Sequence, residues 1–246
     1  MKKVLFVMLI VSALVVCAAV SAFAVTYSLT PSVDGYVHNS GRNFSSTELL
    51  TQAYAWSEGY QCLVKFDLSG VDTTGSPLVA SATLTLNAKT VGIAGDCTVW
   101  QLGPTNWDAS SCSRYVYDGV NGWPNYAGRP PWGRDGQVGE AVYEATAVTQ
   151  NITGVGSYSW DVTSIVNNWL YGGASNSNSG LLIGTWQFGY GNFTGNSPAV
   201  SFYATEDTNA ALRPILEIDV VPEPSSLAAL AVGGLGLVGF SLRRRR

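Results

Sequence analysis

Histidine is almost missing from this chain: His38 is the only one among 246 residues. Catalytic systems that move a proton through imidazole, the Ser-His-Asp and Cys-His arrangements, need a partnered histidine. His38 lies at the end of a strand-like stretch beside Asn39 and Ser40, the usual place of a solvated strand-end residue. No GxSxG nucleophile elbow occurs. One histidine and scattered cysteines give no zinc spacing, and no DxDxDG-like loop marks a calcium site. No metal ligands are therefore assigned, although a β-sandwich is compatible with structural calcium. Cations are also scarce: residues 25–221 hold seven Lys and Arg against sixteen Asp and Glu, a net charge of −9 with His38 neutral. So acidic a surface repels phosphate backbones, which excludes nucleic acid as a partner.

Long apolar runs are confined to the two ends. Lys2 and Lys3 precede Val4 to Val20, and Ala22-Phe23-Ala24 then offers small residues to signal peptidase, so residues 1–24 read as a secretory signal peptide. Cys17 follows Val16, where a lipobox has Gly, Ala or Ser, which excludes lipidation there. At the other end Val221 to Arg246 reads VPEPSSLAALAVGGLGLVGFSLRRRR, with an uncharged stretch of 16 residues from Leu227 to Leu242. Each arginine costs about 2.5 to 3.5 kcal/mol at the centre of a membrane helix. Arg243, Arg244, Arg245 and Arg246 therefore stop the run and hold the C-terminus in the cytoplasm, leaving everything upstream outside. The run is short of the roughly 20 residues of a comfortable span and rich in Gly and Ala, which suits a transient stay in the inner membrane. The order of parts resembles the PEP-CTERM sorting signal of Gram-negative bacteria, with Pro222, Glu223 and Pro224 as the motif. That resemblance implies cutting near the motif by exosortase, a membrane protease, and delivery to the cell surface or an exopolysaccharide matrix.

Between the ends lies enough chain for one domain, residues 25–221. Ser81 to Asn87 (SATLTLN) and Pro214 to Val220 (PILEIDV) alternate apolar and polar residues, the period of a sheet with one wet face. Further strands are predicted near Gly35 to Asn39, Glu48 to Tyr54, Tyr60 to Leu68, Asp96 to Leu102, Ala141 to Ala147, Tyr158 to Asp161, Leu181 to Trp186 and Val200 to Ala204. One stretch, Ser159 to Tyr171, has helical spacing: Val162, Ile165, Val166, Trp169 and Leu170 share a face. Asp161 or Thr163 can cap its start and Gly172-Gly173 its end. The expected fold is all-β, a jelly-roll-like two-sheet sandwich plugged by one short helix. Its expected core includes Phe66, Leu84, Leu86, Trp160, Val166, Trp169, Leu181, Leu216 and Ile218.

Six stretches, in order, resemble the DNRLRE domain, a secreted β-sandwich related to disaggregatase and to a carbohydrate-binding module family. They are VDGYV from Val33, KFDLSG from Lys65, ASATLTL from Ala80, WDVTSIVNNWL from Trp160, GLLI from Gly180, and Ser201 to Ile218 ending in RPILEI. Trp107-Asp108, Tyr117-Asp118-Gly119, Trp123 and Gly128 resemble that family's tryptophan-rich connection. The likeness implies a fold rather than a chemistry.

Three cysteines, Cys62, Cys97 and Cys112, lie in this region, in a compartment that permits disulfides. A Cys97–Cys112 bridge is expected because Cys112 lies in an irregular stretch able to fold back, with Cys62, which alternates with Val64 and Phe66, a small buried apolar residue. Carboxylates alone can run glycoside chemistry, and Glu140 with Glu144 or Asp108 with Asp118 are available pairs. Asp34, Asp67 and Asp161 read instead as turn and cap acceptors. Aromatic residues are the better lead. Trp107 and Trp123 match framework positions and are expected to fill the sandwich. Tyr126, Trp132 and Arg134, in GWPNYAGRPPWGRDG, and Tyr190, in WQFGYGNF, stand open between stacking on sugar rings and packing under loops. The sequence thus points to a secreted non-catalytic protein of the cell surface or matrix, structural or polysaccharide-binding. A polysaccharide hydrolase or lyase using carboxylates is the alternative.

Overall fold

The computed structural model describes residues 24–38, 41–53, 59–74, 77–103, 105–124, 142–173, 177–185 and 198–221. The chain divides into two compact units, one of residues 1–26, 72–80 and 219–246, the other of 27–71 and 81–218. In the smaller unit the Thr26 hydroxyl donates to the Asp219 carboxylate, 2.6 Å. In the larger unit the fold is mostly β with one short helix, and its strands are β1 (Val25–Leu29), β2 (Pro31–His38), β3 (Gly41–Asn43), β4 (Glu48–Ala53), β5 (Gly59–Phe66), β6 (Leu78–Ile93), β7 (Gly95–Leu102), β8 (Val142–Ile152), β9 (Gly156–Asp161), β10 (Leu181–Gly184), β11 (Ala199–Tyr203) and β12 (Ile215–Val221), the first, sixth and last of which run on into the smaller unit. Helix α1 (Thr163–Tyr171) follows β9 directly. All ten predicted strands are present; β1 and β3 were not foreseen.

The strand order is β12-β6-β11-β4-β5-β10-β7-β8, with β9 on β6 and β2 on β5. Two antiparallel ladders result, one of β6, β9, β11 and β4, the other of β2, β3, β5, β10, β7 and β8. They are joined where the start of β5 pairs with β4, Gln52 opposite Tyr60 and Ala53 opposite Gly59. The expected pair of separate sheets is thus one antiparallel sheet that curls at the β4–β5 corner. It closes on itself where the Trp160 indole, on β9, donates to the Cys97 carbonyl on β7, 3.2 Å. All nine predicted core residues are buried.

β6 alternates strictly from Ala82 to Ala88, as a strand with one wet face does, whereas β10 is buried at every position and β5 nearly so. The second ladder is covered on both sides. Leu63, Leu182, Trp100 and Leu102 point to one face, and Cys62, Leu181, Ile183 and Val99 to the other, because side chains alternate along a strand. Over the first face lies the stretch 105–124, which brings Trp107, Cys112 and Trp123 into one cluster with Val37, Leu63, Trp100, Leu102, Val142 and Leu182.

β8 is irregular. Val148 pairs with Val99 but Tyr143 with Gln101, so β8 uses five residues where β7 uses two. Thr146 repairs the gap: its hydroxyl donates to the Tyr143 carbonyl, 2.7 Å, and accepts from the Gln101 N–H, 3.2 Å. Such a bulge ends the regular ladder locally and bends the strand.

The helix begins four residues later than its spacing predicts, since Ser159 to Asp161 belong to β9. Asp161 accepts from the Thr163 N–H and hydroxyl, 3.0 and 2.6 Å, while Thr163 Oγ1 accepts from the Ala82 N–H on β6, 2.8 Å. At the far end the Gly172 N–H returns to Asn168, and Gly173 takes the left-handed φ of +71°. Ile165, Val166 and Trp169 face inward, and the Asn168 amide reaches Gln101 on β7, 3.1 Å. One helix therefore ties the two ladders together.

Candidate functional site

The aromatic stretch after β7 is framework where it is described. Trp107 and Trp123 are buried, and their indoles donate to the carbonyls of Ser179, 2.6 Å, and Ser113, 2.8 Å. Trp107 also meets Phe44 and Trp123 meets Tyr117. These rings hold the covering stretch down on the second ladder and are not open to a ligand. Tyr126, Trp132, Arg134 and Tyr190, with Glu140, Pro222, Glu223, Pro224 and Arg243 to Arg246, lie outside the described residues.

The expected Cys97–Cys112 bridge is not formed: all three core cysteines are buried free thiols. Strand parity explains it. Cys112 packs on the face of β7 that shows Trp100 and Leu102, while Cys97, in odd register with Val99, belongs to the opposite face. Burial raises all three thiols, that of Cys112 to about 12, so none is a nucleophile at neutral pH. Among the described residues no group of His, Cys, Asp and Glu could hold a metal ion.

The aspartates singled out from sequence, Asp34, Asp67, Asp108, Asp118 and Asp161, each accept hydrogen bonds from a turn or cap, while the Glu140 and Glu144 side chains lie outside those described. Asp108 accepts from the Ser110 N–H and hydroxyl and from the Ser111 hydroxyl, at 2.8, 2.6 and 2.8 Å. Asp118 accepts from the N–H groups of Val120 and Asn121 and from the Asn121 amide. The Ser110 hydroxyl chiefly lowers the first carboxyl, and the Asn121 N–H the second. A lowered carboxyl cannot serve as the general acid of a glycosidase. Asp67 and Asp161 are likewise lowered by Ser69 and Thr163. Asp34 is different: buried beneath the turn 204–207, it accepts from the Thr205 N–H, 2.9 Å, and burial pushes its carboxyl up despite that bond. Glu206 is raised by burial and then by the charge of Asp34.

These opposite shifts give the fold a stability optimum. The lowered group, Asp67, Asp72, Asp108, Asp118, Asp161 and Asp207, stabilises above the ordinary Asp value of 3.8 and loses that contribution as pH falls below it. Asp34 and Glu206 stabilise when protonated and lose that contribution as pH rises through their raised values. The melting temperature is expected to peak in the mildly acidic range and to fall below about pH 4, with Asp34→Asn flattening the neutral side. A melting temperature that climbs steadily to neutral pH would contradict the assignment.

One cluster escaped the sequence reading. Tyr36 and His38, two apart on β2, share a face, and Tyr60 on β5 joins them. Tyr36 and Tyr60 meet edge to face with centroids 5.5 Å apart, and His38 lies 5.6 Å from Tyr60 and 6.4 Å from Tyr36. All three are half-buried, so His38 is packed against rings rather than simply solvated. The signal that finds the cluster is the two-residue spacing of Tyr36 and His38, which β-strand geometry puts side by side.

Residues 220–246 match the PEP-CTERM protein-sorting motif. No curated protein matches the chain. The motif marks a secreted, cell-surface protein targeted to exosortase. Among the described residues no helix is long and apolar enough to cross a membrane; the expected membrane run, residues 227–242, lies outside them.

Proposed function

We propose that this protein is a non-catalytic component of the cell surface or exopolysaccharide matrix. In this reading residues 1–24 are removed on export, and the segment from residue 222 is handled by exosortase in the inner membrane. Residues 25–221 work as a jelly-roll-like sandwich of the DNRLRE kind, structural or carbohydrate-binding. The observation that carries the non-catalytic part is the state of the carboxylates: Asp108 and Asp118 are each spent on three hydrogen bonds. The described carboxyls that are raised, Asp34 and Glu206, include one sealed from any polymer. The facing ladders, bridged by Trp160 and α1, support the sandwich reading.

Intact-mass measurement tests the sorting. The wild-type protein recovered from the cell surface is expected to lack Arg243 to Arg246, whereas Glu223→Ala or removal of the arginines leaves uncut chain in the membrane fraction. Surface protein that still carries the four arginines would overturn the processing. New reducing or unsaturated ends, on incubation with matrix polysaccharide, would instead make it an enzyme.

A further inference from the structure

We infer that Tyr36, His38 and Tyr60 form a sugar-binding face that takes one pyranose unit of a polysaccharide. The inference rests on the reading of this protein as a matrix component. Three rings gather at one end of β2 and β5, half-buried, with their polar edges almost unspent. The Tyr36 hydroxyl accepts one long bond from the Asn43 amide, 3.4 Å. Among the described residues the Tyr60 hydroxyl and the imidazole nitrogens of His38 make no hydrogen bond. Aromatic rings that fill space usually bury their polar tips against partners, as Trp107, Trp123 and Trp160 do here, Trp169 being an exception among the described residues. Tyr158 does the same, its hydroxyl held by the backbone of Thr153 and Gly154. The cluster at Tyr36 departs from that pattern.

A pyranose offers what such a face lacks: an apolar C–H side for the rings and hydroxyls at its rim for phenol, imidazole and amide groups. The backbone is shaped around the imidazole. Gly41 pairs with His38 across the β2–β3 hairpin, and a Cβ there would collide with the His38 ring. On the opposite strand face of the hairpin Gly35 leaves room for Phe44, which packs on Trp107. The Arg114 N–H meets the His38 carbonyl, 3.4 Å. The hairpin that presents the rings is thereby fastened to the rigid covering stretch, which fixes their spacing before a ligand arrives.

Affinity electrophoresis of the secreted protein through gels holding polygalacturonate or dextran tests the site and separates an acidic from a neutral sugar. Wild type is expected to be retarded by one of the polymers. Tyr60→Ala and His38→Ala are expected to weaken association by about tenfold, and Gly41→Ala to do the same by displacing the imidazole. Nitration of Tyr36 and Tyr60 by tetranitromethane reads the same site without a variant: bound polymer is expected to protect both. Wild type retarded by neither polymer, variants that run as wild type, or nitration unchanged by polymer would each overturn the assignment. The sorting result is independent of these outcomes. A processed surface protein with no polymer binding is a structural matrix element, and a polymer-binding protein that keeps its arginines is a module without the proposed sorting.

Discussion

Trp160→Ala is expected to destabilise the domain by about 3 to 5 kcal/mol, the usual cost of emptying a buried tryptophan site. For a domain of this size that lowers the melting temperature by roughly 10 °C or more. The argument rests on where the indole sits. Trp160 is fully buried, meets Phe202 edge to face at 6.1 Å, and donates to the Cys97 carbonyl. It belongs to the ladder of β6 and β9 but bonds to the ladder of β7, so its removal opens a cavity and cuts a link across the curl of the sheet. Trp169→Ala loses packing from the helix alone, since the Trp169 indole N–H has no partner among the described residues, and is expected to cost less. Trp160→Phe keeps most of the volume and loses the bond, and falls between alanine and wild type. Urea titration of the three variants measures the order, and a wild-type midpoint for Trp160→Ala would show that the two ladders do not close on this residue.

The parts legible in the sequence are those where one face of a strand is wet. β6 and β12 alternate, and their inward residues, Leu84, Leu86, Leu216 and Ile218, are all buried. Strands in the covered ladder lose that signal: Leu181, Leu182 and Ile183 are buried together, and nothing in LLIG tells which of them faces the helix. The stretch 105–124 carries no period because its form comes from short-range acceptors, Asp108, Ser113 and Asp118, each closing its own turn. Hence the position of Cys112 could not be judged, and a bridge to Cys97 looked open when strand parity forbids it. The helix start was misplaced for a related reason. The residues Ser159 to Asp161 lead into a helical face that starts at Val162, yet Ser157 to Asp161 pair with Asn87 to Thr83, and sheet pairing overrides a weak local preference. The aromatic candidates Tyr126, Trp132 and Tyr190 stand out by their glycine-rich and proline-rich surroundings, while the cluster at Tyr36 depends on β5, more than twenty residues away in sequence. Contacts between strands are not written in either strand alone.

Gly180→Ala is the second change expected to be severe, on the order of 3 to 5 kcal/mol, from a strained backbone and a clash acting together. Gly180 has φ of +97°, a region that side chains resist. An added Cβ would lie 2.7 Å from the Val64 carbonyl oxygen and 3.3 Å from the Lys65 Cβ. The first of these is backbone in the middle of β5, which cannot turn aside as a side chain could. Around this glycine the chain is guided into place between two strands already formed. Asn178 donates to the Phe66 carbonyl, 2.7 Å, and accepts from the Gly180 N–H, 3.1 Å, while the Gly180 carbonyl accepts from the Leu102 N–H, 3.0 Å. These bonds set the register with which β10 enters between β5 and β7, so forcing Gly180 outward loosens the second ladder on both sides of β10. Gly154→Ala is the control, because a Cβ there meets nothing within 4 Å and its φ is ordinary; it is expected to melt as wild type. Equal melting of the two variants would mean that β10 is not held in its slot through Gly180.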